Sequence, residues 1–456
     1  MNIESAQSPN PARRTPPAAS PARGWLPRCL VAAVIASPAA SLALDFGPFT
    51  LTGFAKVEAT QVSTYCKDNS CQREPLASKE FPWADELVQG KAYGAGTTHV
   101  TLFQPYLAFK YALPRGFKVD ALVSQRWRDG KHDFKGFWYD KSVGISHEDY
   151  GSVRFGAMQT RAWSMADYPF GSNIGLADSW GSSGAGYGLL TRALRYTSRP
   201  FDVVEGDLVL EATYDPGARG WKKNKPRFVE LWAQYTRGDL QVNVMLQDTK
   251  NGTPSAFSHG PFTGPFYDTL VDPLIGGNSQ SISMIMATYK VDAKLELSAG
   301  ARGNRWSGAY AKFLFSAANN PLGNYDLWNN PFNVDWSNNL GEGIYKGHPA
   351  TSLDLVLGAR YKVGKWTAST GLLHLGAAST TNPTDRGQSN AATINTIGLN
   401  YDYGQGFQFY GSAGMVNYAK RGLAPTSMPS NSAFTSIDSR IKTRGNWFGA
   451  GAVYTF

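Results

Sequence analysis

Side chains that commonly carry chemistry are thinly spread along this 456-residue chain. Its six histidines, His99, His132, His147, His259, His348 and His374, have no metal-ligand spacing, and the chain contains neither a nucleophile elbow nor a Gly-rich phosphate loop. His374 lies on the outward phase of an alternating segment, where a Ser-His-Asn membrane lipase would need it, yet no adjacent strand offers a serine partner. These patterns point to no enzyme, no metal site and no cofactor. The chemistry that remains is electrostatic, because Lys, Arg, Asp and Glu recur at every second position of extended segments and form charged rows.

Such rows need strands to carry them. In 117–128, Phe117, Val119, Ala121, Val123 and Trp127 share one face, and Lys118, Asp120, Ser124, Arg126 and Arg128 share the other. In 292–302, Leu295, Leu297, Ala299 and Ala301 oppose Lys294, Glu296, Ser298 and Arg302, and 352–362 repeats the pattern. Segments of this kind fall at 49–63, 98–112, 116–129, 135–148, 151–160, 191–200, 206–215, 226–237, 239–249, 279–290, 292–305, 351–363, 365–376, 391–403, 405–419 and 446–456. Their even number suits a bacterial membrane barrel. Tight connections, such as Pro114–Gly116, Arg237–Asp239 and Val363–Lys365, alternate with long polar ones at 64–97, 161–190, 250–278, 306–350 and 419–445. This phase puts both chain ends on the side of the short turns.

Composition agrees with all-β architecture: 48 Gly, 22 Tyr, 24 Phe and 13 Trp, with 17% charged residues. Beyond residue 45 no window approaches 18 uninterrupted apolar residues, so a chain that spans a membrane does so as a closed sheet. A soluble β-sandwich also alternates, but its apolar faces must meet each other, whereas outward rows of Leu, Val, Phe and Tyr recur here with no second sheet required. The net charge is +9, of which Arg13, Arg14, Arg23 and Arg28 against Glu4 contribute +3. Scattering of the remaining charge over alternating strands favours a cationic interior over a nucleic-acid stripe.

The N-terminus reads as a secretory leader: a basic n-region, the apolar run Cys29–Ser37 and small residues at Ser41–Ala43. The expected division is therefore a signal peptide at 1–43 and a barrel at 44–456. In the exported chain Cys66 and Cys71 remain, five positions apart in a polar stretch. Oxidation favours a local disulfide between them; a metal pair is the rival, lacking neighbouring His or a second Cys pair.

Three stretches carry a family resemblance. Gly151-Ser-Val-Arg-Phe-Gly-Ala157 resembles the fifth strand of the Gram-negative general-diffusion trimeric porins, although Ala157 stands where that family often has Arg; Arg161 is the nearest replacement. Thr191-Arg-Ala-Leu-Arg-Tyr-Thr-Ser198 is similar to their sixth strand, and Gly449–Phe456 to their terminal strand. The resemblance implies a sixteen-stranded transmembrane antiparallel barrel with residues 161–190 folded inward as a constriction. There Asp167 and Asp178 would supply acid, and Lys56, Arg126, Arg128, Arg154, Arg161 and Arg195 base. It further implies a homotrimer in outer-membrane lipid and lipopolysaccharide that passes small hydrophilic solutes with slight anion preference. Tyr454 and Phe456 would face lipid, with Phe456 read by the barrel-assembly machinery.

Overall fold

The computed structural model describes residues 43–63, 96–132, 138–161, 187–217, 227–250, 255–259, 278–308, 350–377, 379–380, 391–419 and 444–456. The leader, Cys66, Cys71, Asp167 and Asp178 lie outside them. Among the described residues no helix is long and apolar enough to cross a membrane.

Twenty-two extended stretches join one sheet. Six are pieces of two to five residues that extend or flank a neighbour. The other sixteen form a closed antiparallel barrel: β1 (Phe49–Val62), β2 (Gly96–Ala112), β3 (Lys118–Ser124), β4 (Lys141–His147), β5 (Gly151–Gln159), β6 (Tyr187–Thr197), β7 (Gly206–Asp215), β8 (Arg227–Arg237), β9 (Leu240–Lys250), β10 (Asn278–Lys290), β11 (Leu295–Gly308), β12 (Ala350–Val363), β13 (Trp366–Leu375), β14 (Ala392–Gly404), β15 (Phe407–Tyr418) and β16 (Arg444–Thr455). Each strand pairs with its sequence neighbours, and β1 closes on β16, with Phe54 opposite Thr455 and Val62 opposite Trp447.

Polarity is inverted relative to a soluble domain. On β12, Leu353, Leu355 and Leu357 are exposed on the outer face, while Ser352, Asp354 and Val356 are buried on the inner one. The same phase runs through β8 and β9, where Val229, Leu231, Val244 and Leu246 point out and Glu230, Asn243 and Gln247 point in. This is the alternation of a transmembrane barrel, in which lipid solvates the outer side chains. At the short-turn end the outer positions become aromatic: Phe109, Tyr111, Tyr289, Tyr361, Trp366, Tyr403 and Phe407 form a girdle. Trp366 packs on Tyr401 at 4.7 Å and Phe407 on Tyr454 at 4.3 Å between ring centroids. The Tyr235 hydroxyl donates to the Val204 carbonyl at 2.9 Å, which keeps its polar tip bonded at this boundary.

Several stretches depart from expectation; the strand expected at 135–148 begins only at Lys141, with residues 138–140 outside it. The segment expected at 116–129 breaks at Gln125–Arg126 and resumes as a short strand, Trp127–Arg128. Across from the break stands Pro105 on β2, which has no N–H to give the ladder. Ser124 and Asp140 bridge the gap instead: Ser124 Oγ donates to Asp140 Oδ2 at 2.6 Å and accepts from the Asp140 N–H at 3.0 Å. The strand expected at 191–200 runs from Tyr187 to Thr197 and stops short of Pro200.

Two glycines have steric reasons. Gly156 (φ 138°) sits at a bulge between β5 and β6, and a Cβ there would lie 2.3 Å from the Lys141 carbonyl oxygen. Gly414 lies under the Trp447 ring, 1.9 Å from where its Cβ would stand. In the short turn after β10, Asp292 Oδ1 accepts from the N–H groups of Lys294 and Leu295 at 2.7 Å each. These bonds hold the Asp292 carboxyl below the ordinary carboxylate range.

Candidate functional site: charged rows on the inner wall

Register brings distant residues into one row across five strands. Arg154 on β5 pairs with Arg195 on β6, Arg195 with Thr213 on β7, Thr213 with Glu230 on β8, and Glu230 with Gln247 on β9. Two arginines side by side repel, so each needs a carboxylate. Arg154 pairs with Asp120 on β3 and donates to Ser142 Oγ at 2.9 Å. Arg195 lies 3.1 Å from Glu211 Oε1 and donates to Thr213 Oγ1 at 2.9 Å and to the Gln159 carbonyl at 2.7 Å.

Arg161, just past the end of β5, completes the group. Its Nε donates to Glu211 Oε1 at 2.7 Å, its Nη2 pairs with Glu211 Oε2, and its backbone N–H donates to Glu230 Oε1 at 2.8 Å. The guanidinium lies 4.6 Å from the Trp232 ring centre, a cation–π arrangement that holds it flat against the wall. Thr197 Oγ1 also donates to Glu211 Oε2, and Gln247 Nε2 donates to the second oxygen of Glu230. Ala157, where the resemblance had Arg, is buried at the bulge and brings no charge.

The other expected basic residues stand apart from this group. Lys56 lies 3.1 Å from Glu58 Oε2 and 5.4 Å from the Tyr410 ring centre, and the Tyr410 hydroxyl donates to that same carboxylate. Arg126 donates to the Tyr139 hydroxyl at 3.1 Å and lies over its ring. Arg128 pairs with Leu102 and Lys131 in the sheet register near the long-loop end. Tyr454 and Phe456 are on the outer face, where Phe456 stacks on Phe103 at 6.1 Å and its backbone N–H donates to the Gly53 carbonyl at 3.0 Å.

Sequence reasoning did not single out Glu211 and Glu230, nor the pair Arg302–Asp354. Arg302 Nη2 donates to Asp354 Oδ2 at 2.8 Å, and Asn304 Nδ2 to the same oxygen at 2.7 Å. Strand phase offered the signal: Glu211 alternates with Leu210 and Ala212, and Glu230 with Val229 and Leu231, so both carboxylates had to face inward.

Several inward polar atoms are buried without a hydrogen-bond partner among the described residues: Gln104 Nε2, Trp232 Nε1, Gln247 Oε1, Ser298 Oγ, Asn304 Oδ1, Thr396 Oγ1 and Asn400 Oδ1. Both donors and acceptors occur among them, distributed round the wall. Buried polar atoms are ordinarily hydrogen-bonded, so these call for water or a polar solute.

No family model matches the chain, and no curated protein sequence matches it. Solved structures do. A loop L8 deletion mutant of OmpT, an outer membrane protein of Vibrio cholerae, aligns with a TM-score of 0.54 at 12% identity over 90% of this chain and 100% of that one. The trimer form of in-vitro folded OmpT from the same organism aligns at 0.52, with 14% identity over 90% and 99%. The anion-selective porin from Comamonas acidovorans aligns at 0.52, with 12% identity over 90% and 99%. At such identities the likeness is one of fold, and the fold is the closed sixteen-stranded barrel of outer-membrane proteins.

Proposed function

We propose that this chain is an outer-membrane porin of a Gram-negative bacterium, a passive channel for small hydrophilic solutes and ions with slight preference for anions. One observation carries the reading: inside a closed barrel with an apolar outer wall, polar atoms all round the inner wall have no hydrogen-bond partner among the described residues. A solid core would leave them unsatisfied; a hydrated passage satisfies every one. The basic surplus outside the leader, +6, supports the anion preference. Local balance keeps it slight, since Arg154, Arg161 and Arg195 stand against Asp120, Glu211 and Glu230.

Several narrower proposals accompany this reading. Residues 161–190, with Asp167 and Asp178, narrow the passage from the side facing the arginines, while Lys56, Arg126 and Arg128 line the wall. Residues 1–43 direct export, and Cys66 and Cys71 join as a local disulfide. Tyr454 and Phe456 are the mark read by the assembly machinery, and the outer belt rests in lipid and lipopolysaccharide. The working form is a homotrimer, a reading supported by the trimer form of OmpT, which has the same fold.

Planar-bilayer recording of the refolded protein, with reversal potential in a salt gradient, tests the channel. Stepwise current with a weakly anion-selective potential is expected. Absence of current sinks the pore, and strong cation selectivity sinks the charge argument.

A further inference from the structure

The inner wall is not polar throughout. Register sets Met286 on β10, Gly300 on β11, Val356 on β12, Leu373 on β13 and Ile394 on β14 in one row, all on the inward phase. A Cβ on Gly300 would stand 2.8 Å from Met286 Cγ and 2.9 Å from Val356 Cγ1, so these two side chains lean over the glycine and the row is continuous. Across five strands, at roughly 4.8 Å per strand, it runs about 19 Å. Leu375 and Ala392 extend it one step toward the long-loop end.

Burial sets this row apart from a wall washed by water. A sixteen-stranded barrel encloses a lumen too wide for wall side chains to fill, and the described strands all belong to the one sheet that forms the wall. Yet Met286, Leu373 and Ile394 are 0% exposed and Val356 1%. Neighbours in the sheet shield the flanks of an inward side chain and not its tip, so the row is covered from the lumen. The ion pair beside it tolerates cover, because Asp354 accepts from Arg302 Nη2, Asn304 Nδ2 and the Gly376 N–H.

The points where segments join the wall narrow the choice of occupant. Segment 309–349 joins β11 to β12, the centre of the row. Its 41 residues hold eight aromatic side chains, Phe313, Phe315, Trp328, Phe332 and Trp336 among them, against five charged ones. In water such a composition would form a large exposed apolar patch. From Gly308 and Ala350 the row lies six to eight residues down the wall. At a tilt of about 40° that is about 15–20 Å, a depth that a chain of this length reaches and returns from. Segment 381–390, between β13 and β14, has no aromatic residue. In the connection from β9 to β10, Ser255–His259 pairs with β6 and is thereby drawn away from the row.

We infer that this inner face is a docking surface and that its occupant is the chain's own segment 309–349, with aromatic side chains against the row. The inference stands on the closed barrel alone and goes beyond the channel reading. A solute passing the arginines of β5 and β6 then meets that segment opposite, and not a bare aliphatic wall.

Cysteine labelling in lipid vesicles tests this, with a charged maleimide and the full chain carrying C66S and C71S. L373C and I394C report the row, and Q408C, half-buried on the inner wall near the short turns, reports that reagent enters the barrel. In the full chain L373C and I394C are expected to react at least about tenfold more slowly than Q408C. Replacing 311–347 by a short Gly-Ser connector should bring both to the Q408C rate, whereas replacing 163–185 should leave them protected. Equal rates in the full chain overturn the docking surface. Protection that outlasts removal of 311–347 overturns the occupant, whatever the second replacement does. Heat-modifiable mobility checks that each variant is a barrel; where the shortened chain is not, the full-length F313S/F315S/W328S/W336S variant replaces it and is read by the same rates. Current is recorded separately, so failure of the channel reading and failure of this one are told apart.

Discussion

Glu211→Gln is the sharpest probe of the inner wall. Glu211 is the carboxylate shared by Arg161 and Arg195, so its neutralisation takes the set of three arginines and three carboxylates from balance to +1. For an ion passing within about 7 Å in hydrated surroundings, one charge contributes about 0.6 kcal/mol, and screening at 0.1 M salt reduces this to about 0.3 kcal/mol. That raises local anion occupancy about 1.6-fold and lowers cation occupancy by the same factor, so the anion-to-cation permeability ratio rises about 2.5-fold. At 1 M salt, where the Debye length is about 3 Å, the change in the ratio should shrink to roughly 1.2-fold. Reversal potentials across a salt gradient measure the ratio, and E211Q/R161Q, which restores balance, should return it to the starting value. A ratio that does not move in E211Q at low salt, or that moves toward cations, would refute the placement of this cluster beside the ion path.

Other perturbations read the rest of the structure. D354A strands the buried Arg302 guanidinium and should destabilise the barrel by about 3–5 kcal/mol in urea unfolding from lipid vesicles; an unchanged midpoint would show that the pair carries no stability. L246R places a cation on the lipid face and should cost about 2–4 kcal/mol in the same assay, while Q241R on the inner face of the same strand should cost far less. Deleting Phe456 removes its backbone bonds to Gly53 and its stacking on Phe103, and should lower the yield of heat-modifiable barrel in outer membranes; wild-type yield speaks against an assembly role. The lowered Asp292 pKa makes its contribution full at neutral pH and lost as pH falls through the folded-state value, so the D292A defect should disappear on strong acidification. A defect that grows as pH falls contradicts this.

The strands were legible because two independent signals agree in each: period-two alternation and a turn at the correct end. Val363-Gly-Lys365, for example, separates two alternating runs and becomes the two-residue turn between β12 and β13. The break at Gln125 was not foreseen, because its cause is Pro105, some twenty residues upstream and opposite only once β2 and β3 pair. The inner cluster was half legible for the same reason. Strand phase fixes that Arg154, Arg195, Glu211 and Glu230 face inward, but which of them meet depends on the lateral offset between strands, a property of pairing that no single segment contains. Arg161 lies beyond the end of its strand, where alternation gives no guidance at all.

The pairing of β1 with β16 joins Phe54 to Thr455, near the two ends of the described chain. This ladder joins strands at opposite ends of the sheet, and without it the barrel does not close. Until that last ladder zips, the growing sheet has two bare edges, each a template for pairing with the wrong chain. An unfinished barrel is therefore a sticky ribbon with no passage through it. Productive maturation thus depends on whatever shields those edges during the interval between synthesis and closure.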